Sequence, residues 1–562
     1  MRARLRDKLP LKRPSFGVGA RDDGPDAEKH EAEPKGRDVV RGDRRALIAV
    51  AAAVVIVLVV VVAGSGGQPV TPPAIGAASV VPSDALAYVH LSTDDSRPGV
   101  RSALTLADRF PGYTRLRDQV LAGLGGAGHA VLADFDTDVR PWLGKDAALT
   151  LFDTTTSTPT ELIVVGVSRR AAAERFLAGL PTDGSASYGG TTITGHPRAD
   201  DTALVGHYIV FGHSSAIRAA IDVAAGRSPS LSEDPVYRRA TMAEPAGRAV
   251  DAYLSGTGVA RLLAPRRGLV GELASLLYQP TLQGMAIALT PATGGVQVFV
   301  RRVLNPQLAR GGSVSFSPSL PASVPAGVGL FLDATQLGKV LPRVLLSTGV
   351  GGRIPELLKR LGRVLTAEGI DVRQDIVPLF ERESAVLISR HGAAPVVTLI
   401  AHTPHPGQTA TVFAQLENPL VSLLTSTGLA AGQIPVFNQV TAGGEPAHQL
   451  VLAPGLQFDY AVFNDDLVLS TSLDGIAAIA HHASSILDDS AYRLTLGDHP
   501  ARVTSLLFLD LNQLLSIGEQ TGLLTGARYL ALKPDLERVH AIGLDSTSGE
   551  AESTAELFLQ IS

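Results

Sequence analysis

The sequence predicts an α+β fold in which one transmembrane helix is followed by two tandem, related α+β repeats with mainly antiparallel sheets. Three observations predict this fold. An uninterrupted apolar run begins at Ala46, the motif order of residues 80–304 returns in residues 319–562, and several apolar strands follow one another without an intervening helix. Strands joined by short turns pair antiparallel, whereas parallel strands need long crossover connections.

The composition is that of a globular protein with a large aliphatic core. Of the 562 residues, 45% are hydrophobic but only 5% are aromatic. The absence of cysteine excludes disulfides, thiolate metal sites and cysteine nucleophiles. The formal net charge is −5, although residues 1–45 carry 13 basic and only 9 acidic side chains. The remainder is therefore acidic, which argues against a nucleic-acid partner.

The apolar run predicts a membrane-spanning helix over residues 46–64. A helix of that length spans roughly 27–29 Å, close to the thickness of a bilayer's hydrocarbon core. Arg44 and Arg45 directly precede the run, and no Lys or Arg follows it before Arg97. This asymmetry predicts a cytoplasmic N-terminus and an extracytoplasmic C-terminal region. A cleaved signal peptide is the alternative, but its apolar region is usually shorter and nearer the N-terminus.

The flanking segments complete the predicted domain organisation. Residues 1–45 are charged and poor in large apolar residues, which predicts a disordered cytoplasmic tail. Residues 65–79 form a Gly/Pro-rich linker, and residues 305–318 connect repeat 1 (80–304) to repeat 2 (319–562). We therefore expect a single-pass membrane protein of the cell envelope whose further partner is an envelope protein or a lipid.

Matched short motifs support the duplication. The matched pairs are Asp138 with Asp375, Pro141 with Pro378, Asp234 with Asp489, Tyr237 with Tyr492, and Arg238 with Arg493. Each aspartate precedes a short turn or helix, so we interpret it as a helix cap that accepts backbone N–H bonds. Trp142, the one tryptophan, is interpreted as a core anchor beside the first of these turns.

Three short motifs in the sequence also resemble those of a known family. Pro82, Asp84 and Tyr88 form a P-x-D-x-x-x-Y-V strand entry, Asp138–Gly144 reads D-V-x-P-W-L-G, and Leu231–Arg238 reads L-x-x-D-x-x-Y-R. Together with the apolar run they resemble the bacterial envelope family catalogued as domain of unknown function 3352, over roughly residues 80–562. The second half departs from the pattern, with Leu379 and Phe380 in place of the Trp–Leu pair. The resemblance implies the architecture and implies no activity.

Ser214 is the one candidate nucleophile. Gly212-His213-Ser214-Ser215-Ala216 follows a predicted strand, opens a predicted helix and loosely matches a nucleophile elbow, with His391, His402 and His448 later in the chain. Because the surrounding sheet does not read as parallel, and because the duplicate carries Ser470-Thr471-Ser472-Leu473, an ordinary helix start is the preferred interpretation.

The sequence around the other motifs argues against a dinucleotide-binding site and against a zinc site. Gly123-x-Gly125-x-x-Gly128 follows a predicted helix, whereas a dinucleotide fingerprint needs a preceding strand. His402-x-x-His405 lies in a proline-bearing loop, and the adjacent His481 and His482 point to different helix faces, so neither pair predicts a zinc site. We therefore assign no catalytic, cofactor-binding or metal-ligating residue and expect no cofactor.

The sequence thus favours a non-catalytic extracytoplasmic binding or scaffolding region. Carriage of a lipid or another apolar ligand is the alternative, because Val/Leu/Ala-rich strands beside helices can enclose an apolar pocket. Hydrolysis at Ser214 is the second, less favoured alternative.

Overall fold

The computed structural model describes most of the chain beyond residue 71. The described residues are 72–107, 135–153, 159–197, 200–263, 281–308, 314–337, 377–391, 394–426, 435–453, 456–522 and 524–561. The predicted tail, the predicted membrane helix, Gly123–Gly128 and Asp375 lie outside them.

The described strands form a single twenty-stranded sheet in which every neighbouring pair is antiparallel. In chain order the strands are β1 Ala85–Ser92, β2 Leu143–Phe152, β3 Thr160–Val167, β4 Gly184–Tyr188, β5 Thr191–Gly195, β6 Asp201–Val205, β7 Tyr208–Gly212, β8 Val250–Ser255, β9 Leu282–Ala292, β10 Gly295–Leu304, β11 Leu330–Thr335, β12 Glu383–His391, β13 Ala394–His402, β14 Phe437–Ala442, β15 Glu445–Ala453, β16 Leu456–Phe463, β17 Asp466–Ser470, β18 Ser505–Asp510, β19 Val539–Ser548 and β20 Glu552–Ile561.

The strands lie side by side in an order that mirrors itself about its centre. From one edge to the other the order is β4-β5-β6-β7-β3-β2-β1-β8-β9-β10, then β20-β19-β18-β11-β12-β13-β17-β16-β15-β14. Strands β11–β20 thus pair with one another in the same sequence as β1–β10.

The predicted fold class is wrong, because the two halves do not have separate sheets. The last strands of the halves, β10 and β20, pair along nine residue positions, and Val298 lies opposite Leu557. Each of these strands would otherwise end a sheet and expose unpaired N–H and C=O groups. Their pairing removes both edges and joins the halves into one sheet, which local sequence patterns do not encode.

The membrane prediction also needs correction. Among the described residues, no helix is both long enough and apolar enough to cross a bilayer. The predicted span, Ala46–Gly64, lies outside these residues.

Helices cover both faces of the sheet. They are α1 Pro98–Ala107, α2 Phe135–Asp138, α3 Arg170–Ala178, α4 Ser214–Ala224, α5 Pro235–Thr241, α6 Gly256–Gly258, α7 Pro406–Ser426, α8 Leu473–Ala480, α9 Ser490–Leu496, α10 Leu511–Gln520 and α11 Ala527–Leu536. Short 3-10 helices lie at Gly76–Ser79, Leu231–Glu233, Leu320–Ser323, Val377–Phe380 and Ile486–Asp488, and a π-helical turn at Val259–Leu263.

One face carries the main core of each half. In the first half Tyr237 of α5 packs edge-on against Tyr88 and Tyr253, with ring centroids 6.0 and 5.2 Å away. In the second half Tyr492 of α9 contacts Phe331 and Phe508 in the same way. Strand registers place these residues in corresponding positions, so both cores are built around one buried tyrosine.

The cap predictions for Asp234 and Asp489 are confirmed. Asp234 precedes Pro235 and accepts a hydrogen bond from the backbone N–H of Tyr237, and Asp489 accepts from the N–H groups of Ala491 and Tyr492. These carboxylates satisfy helix-terminal donors and fix where each buried tyrosine enters the core.

Trp142 is a core anchor, as predicted, and is only 2% exposed. Its ring lies 5.1 Å from that of Phe176 on α3, on the face opposite the tyrosine core. The cap prediction for Asp138 is wrong. Asp138 ends α2, and its backbone carbonyl accepts a hydrogen bond from the indole N–H of Trp142.

Candidate functional site

Helix α7 places one acidic side chain on the mostly apolar face that packs on the sheet. Phe413, Leu416 and Leu420 recur at spacings of three and four residues, so they share the face that packs on the sheet. Glu417 lies on the same stripe, four residues after Phe413. A carboxylate in that position needs polar partners on the strands beneath it.

Those partners come from β15 and β16. His448 and Tyr460 lie directly opposite each other in the two strands. The Nδ1 of His448 is 2.7 Å from Oε1 of Glu417, and the hydroxyl of Tyr460 donates to the same oxygen at 2.7 Å. The imidazole and phenol rings stack, with centroids 4.6 Å apart and planes inclined by 14°. We call these three side chains the His–Glu–Tyr cluster.

Aromatic rings surround Tyr460. Phe413 of α7 lies 5.3 Å from it and Phe437 of β14 lies 5.8 Å from it, centroid to centroid. Phe458 contacts Phe437 edge-on at 6.3 Å. Both Phe437 and Phe458 are only partly buried. The polar cluster therefore sits in an aromatic layer that is incompletely covered by the described residues.

The three side chains of the His–Glu–Tyr cluster differ in burial. Tyr460 is 2% exposed, and burial together with its hydrogen bond to Glu417 raises the pKa of its phenol, which keeps the proton and donates. The side chains of His448 and Glu417 are 27% and 24% exposed. Among the residues that the structure describes, Nε2 of His448 has no hydrogen-bond partner, so this atom is available to a ligand, beside the exposed Gln439 on the neighbouring strand β14.

The first half provides an internal comparison. Strand registers place Thr194 of β5 at the position of His448, and Thr202 of β6 at the position of Tyr460. Thr202 is buried and contacts His196 Nε2 at 2.8 Å. The covering helix α3 has nine residues, whereas α7 has twenty-one. The His–Glu–Tyr cluster therefore exists in one of two otherwise matching halves.

A second polar cluster lies inside the first half and is sealed from solvent. His90 Nδ1 is 2.9 Å from Asp251 Oδ1, which also accepts from Arg248 Nε at 3.0 Å, and Arg248 pairs with Glu244. His90 is 0% exposed, so this cluster cannot contact a ligand in this conformation. Burial and the nearby Asp251 carboxylate raise the pKa of Glu244, an effect that Arg248 opposes.

Asp333 occupies the register position of His90 in the second half. It is fully buried, no described donor reaches its carboxyl oxygens, and its side chain lies within hydrogen-bonding reach of the Glu383 carboxylate. Burial and the neighbouring Glu383 carboxylate raise the pKa of Asp333 to about 9, so it is protonated at neutral pH. Glu383 accepts from the N–H groups of Ser319 and Leu320, as Asp146 does from Ala77 in the first half.

Ser214 lies at the first residue of α4, after a glycine with φ of 157° and the N-cap His213. The strand-to-helix context was predicted correctly, but the sheet around it is antiparallel. His213 contacts the hydroxyl of Ser215, not of Ser214. Throughout the described ranges no histidine is hydrogen-bonded to Ser214, and His448 lies in the His–Glu–Tyr cluster.

The two histidine pairs considered in the sequence do not form a metal site. His402 pairs with Asp466 at 3.2 Å, and His405 is exposed beside the start of α7. His481 caps the end of α8, and His482 follows it. Across the described part of the chain, no group of three or more His, Cys, Asp or Glu side chains is placed to hold a metal ion.

Sequence reasoning missed the His–Glu–Tyr cluster because its members come from three elements more than 40 residues apart at the extremes. One local signal pointed to it. Glu417 interrupts the apolar stripe of α7, and a charged residue on a buried face requires a partner.

Comparison with known proteins identifies a family but no activity. A family model described as "Protein of unknown function (DUF3352)" matches residues 46–561. No curated protein is significantly similar to the chain. Crystal forms I and III of TP0453 share 14% and 16% identity with it, covering 42% and 44% of this chain and 81% and 83% of theirs, at TM-scores of 0.24 and 0.23. Scores this low assign neither fold nor function.

Proposed function

The chain belongs to the DUF3352 family of proteins of unknown function, and from that premise we propose that it is a non-catalytic binding protein of the bacterial cell envelope. Its ligand binds at the surface between α7 and the strands β14–β16. The envelope location rests on the resemblance of the sequence to a bacterial envelope family. The binding role rests on the difference between the two halves.

The observation that carries the proposal is the confinement of the His–Glu–Tyr cluster to the second half. The duplicated strand order and the tyrosine cores serve folding in both halves equally. Thr194 and Thr202 show that the same positions can be filled without a histidine or an aromatic ring. Features that folding does not require, and that reach the surface, are candidates for recognition.

The geometry supports binding rather than turnover. Glu417 orients His448 through Nδ1 and leaves Nε2 accessible, and partly buried aromatic rings surround the pair. A few oriented polar groups in an apolar lining are typical of ligand sites. Among the described residues, no serine or threonine hydroxyl is hydrogen-bonded to Nε2, so the cluster lacks the nucleophile of a triad.

The proposal is tested by giving the second half the residues of the first. The variant His448→Thr reproduces Thr194, and Thr194→Ser is the matched control. Each protein is purified from its native cells and denatured, and released small molecules are identified by mass spectrometry. We expect a molecule in stoichiometric amounts with the wild type and the control, and its loss from His448→Thr. Equal yields from all three proteins, or none from the wild type, would reject the proposal.

Scaffolding through the sheet edges is the second candidate, favoured by the chemistry of the outermost strands. Within the described part, β4 pairs with β5 alone and β14 with β15 alone. Neither strand contains a charge or a proline, the devices that usually block edge pairing. An extended segment of a partner protein would add as a further strand. The test is chemical cross-linking in cells of the wild type and of the edge-strand variants Ser187→Lys and Asn438→Lys. Loss of the same cross-linked neighbour from both variants would support this role, and unchanged neighbours would reject it.

A further inference from the structure

We propose that the site takes an apolar molecule carrying one neutral hydroxyl group, with the hydroxyl donating to Nε2 of His448. This inference rests on the proposed function and specifies the ligand class for the same site.

The hydrogen-bond directions fix the tautomer of His448. A carboxylate only accepts hydrogen bonds, so both groups on Oε1 of Glu417 must donate to it. Tyr460 donates through its hydroxyl, and His448 therefore carries its proton on Nδ1. In a neutral imidazole with this tautomer the lone pair lies on Nε2, which is then an acceptor and selects a donor on the ligand.

Charge selects among possible donors and excludes anionic head groups. Glu417 places a negative charge next to the imidazole, and the rings of Phe413 and Phe437, which contact Tyr460, carry none. A fatty-acid carboxylate would be repelled by Glu417 and would offer only acceptors to Nε2. An ammonium group would be attracted by Glu417 and by the aromatic rings, but it would lose its hydration in this layer, a cost that can exceed the Coulombic gain. A hydroxyl satisfies Nε2 without either penalty.

The lining selects the body of the ligand. Several aromatic and aliphatic side chains around Glu417 and His448 are incompletely covered: Leu399, Val412, Leu420, Phe437, Phe458, Val462 and Leu469. The exposed Gln439 lies opposite His448 in β14 and adds one polar amide to this face. Val436, next to Phe437, is 67% exposed. An alkyl or ring system that covers these side chains gains roughly 25 cal/mol for each Å² of apolar surface removed from water.

The test compares three probes of equal chain length on the full-length protein. Binding of 1-octanol, octanoate and octylamine is measured by isothermal titration calorimetry at pH 7.5. The variant His448→Phe is measured in the same way, because it keeps a ring stacked on Tyr460 and removes the acceptor. We expect octanol to bind about tenfold more tightly than octanoate, which cannot donate to Nε2, a difference equivalent to one good hydrogen bond. Octylamine should also bind more weakly than octanol, because it must lose the hydration of its charge. His448→Phe should weaken the binding of octanol and reduce its preference over octanoate, whereas His405→Ala, at an exposed histidine, should change neither.

The outcomes separate the two proposals. If all three probes bind equally and Leu420→Arg weakens all of them, ligands do bind under α7 and only the hydroxyl assignment fails. If no probe binds, or if Leu420→Arg has no more effect than Gln415→Arg on the exposed side of α7, the site itself is rejected. Because the comparison of probes uses wild-type protein, it decides the hydroxyl question even if a variant does not fold.

Discussion

The imidazole ring of His448 lies flat against the ring of Tyr460, at 4.6 Å and 14°, and both side chains contact the same oxygen of Glu417. One carboxylate therefore holds a donor from each of two neighbouring strands against helix α7. The cluster locks the helix to the sheet as well as presenting Nε2.

Removal of that carboxylate should loosen both donors together. We expect Glu417→Leu to lower the free energy of unfolding by about 1–3 kcal/mol, because the buried Tyr460 hydroxyl loses its partner. Glu417→Gln retains an acceptor and should lose less. Urea unfolding followed by circular dichroism measures both, with Glu550→Gln in an exposed loop as the control. A Leu variant as stable as the control would show that the cluster does not anchor α7.

The buried Asp333 should make stability fall as pH rises. Its pKa in the folded protein, about 9, lies above the unfolded value, so the folded state binds a proton that the unfolded state has released. The stabilisation from this proton is complete at low pH and is lost between about pH 4 and pH 9, by at most about 1.4 kcal/mol per pH unit.

Asp333→Asn removes this titration. Unfolding free energies of the variant and the wild type should converge at or below about pH 4, while at pH 8 the variant should be the more stable protein. Asp498→Asn, at an exposed position, should follow the wild type at both pH values. An identical pH profile for wild type and Asp333→Asn would contradict the protonated state assigned to this carboxyl.

The two confirmed helix caps should contribute equally and independently. Asp234→Ala and Asp489→Ala are each expected to cost about 1 kcal/mol, as for other caps. Because the two aspartates lie in different cores, their effects should add within about 0.5 kcal/mol in the double variant. Thermal unfolding of the three variants checks this. Strong non-additivity would mean that the cores are coupled more tightly than their separation implies.

The junction of the halves can be tested by cross-linking, because the chain contains no cysteine. Val298→Cys combined with Leu557→Cys places two thiols on directly opposed residues of β10 and β20. We expect rapid disulfide formation on mild oxidation. Val298→Cys with Ser505→Cys is the control, since β18 lies three strands from β10, about 14 Å away, beyond disulfide reach. Equal reactivity of the two pairs would rule out the single sheet.

Local features were predictable from the sequence, and long-range pairings were not. The short apolar segments Ala147–Phe152, Glu161–Val167 and Tyr208–Phe211 all lie within observed strands, because apolar alternation reports burial directly. The caps at Asp234 and Asp489 follow from residue chemistry within one turn.

The pairing of β10 with β20 joins residues about 250 positions apart. The alternation of apolar residues along a strand is the same whether the strand is central or at an edge, so it does not reveal this pairing. The fold class was wrong for this reason.

The candidate site was hidden for a related reason. His448 was visible in the sequence only as one of several histidines available to Ser214, and Tyr460 as an ordinary strand residue. Their meeting with Glu417 depends on the register of β15 against β16 and on the rotation of α7. The comparison with Thr194 and Thr202 also requires the strand registers of both halves.

Photolabelling tests the binding site most directly, because the two halves serve as each other's control. A long-chain alcohol bearing a diazirine is irradiated with the full-length protein, and labelled peptides are mapped by mass spectrometry. Binding under α7 predicts labels on α7, β15 and β16, with few on the matching elements α3, β5 and β6. Equal labelling of the two sets would contradict a ligand site in the second half.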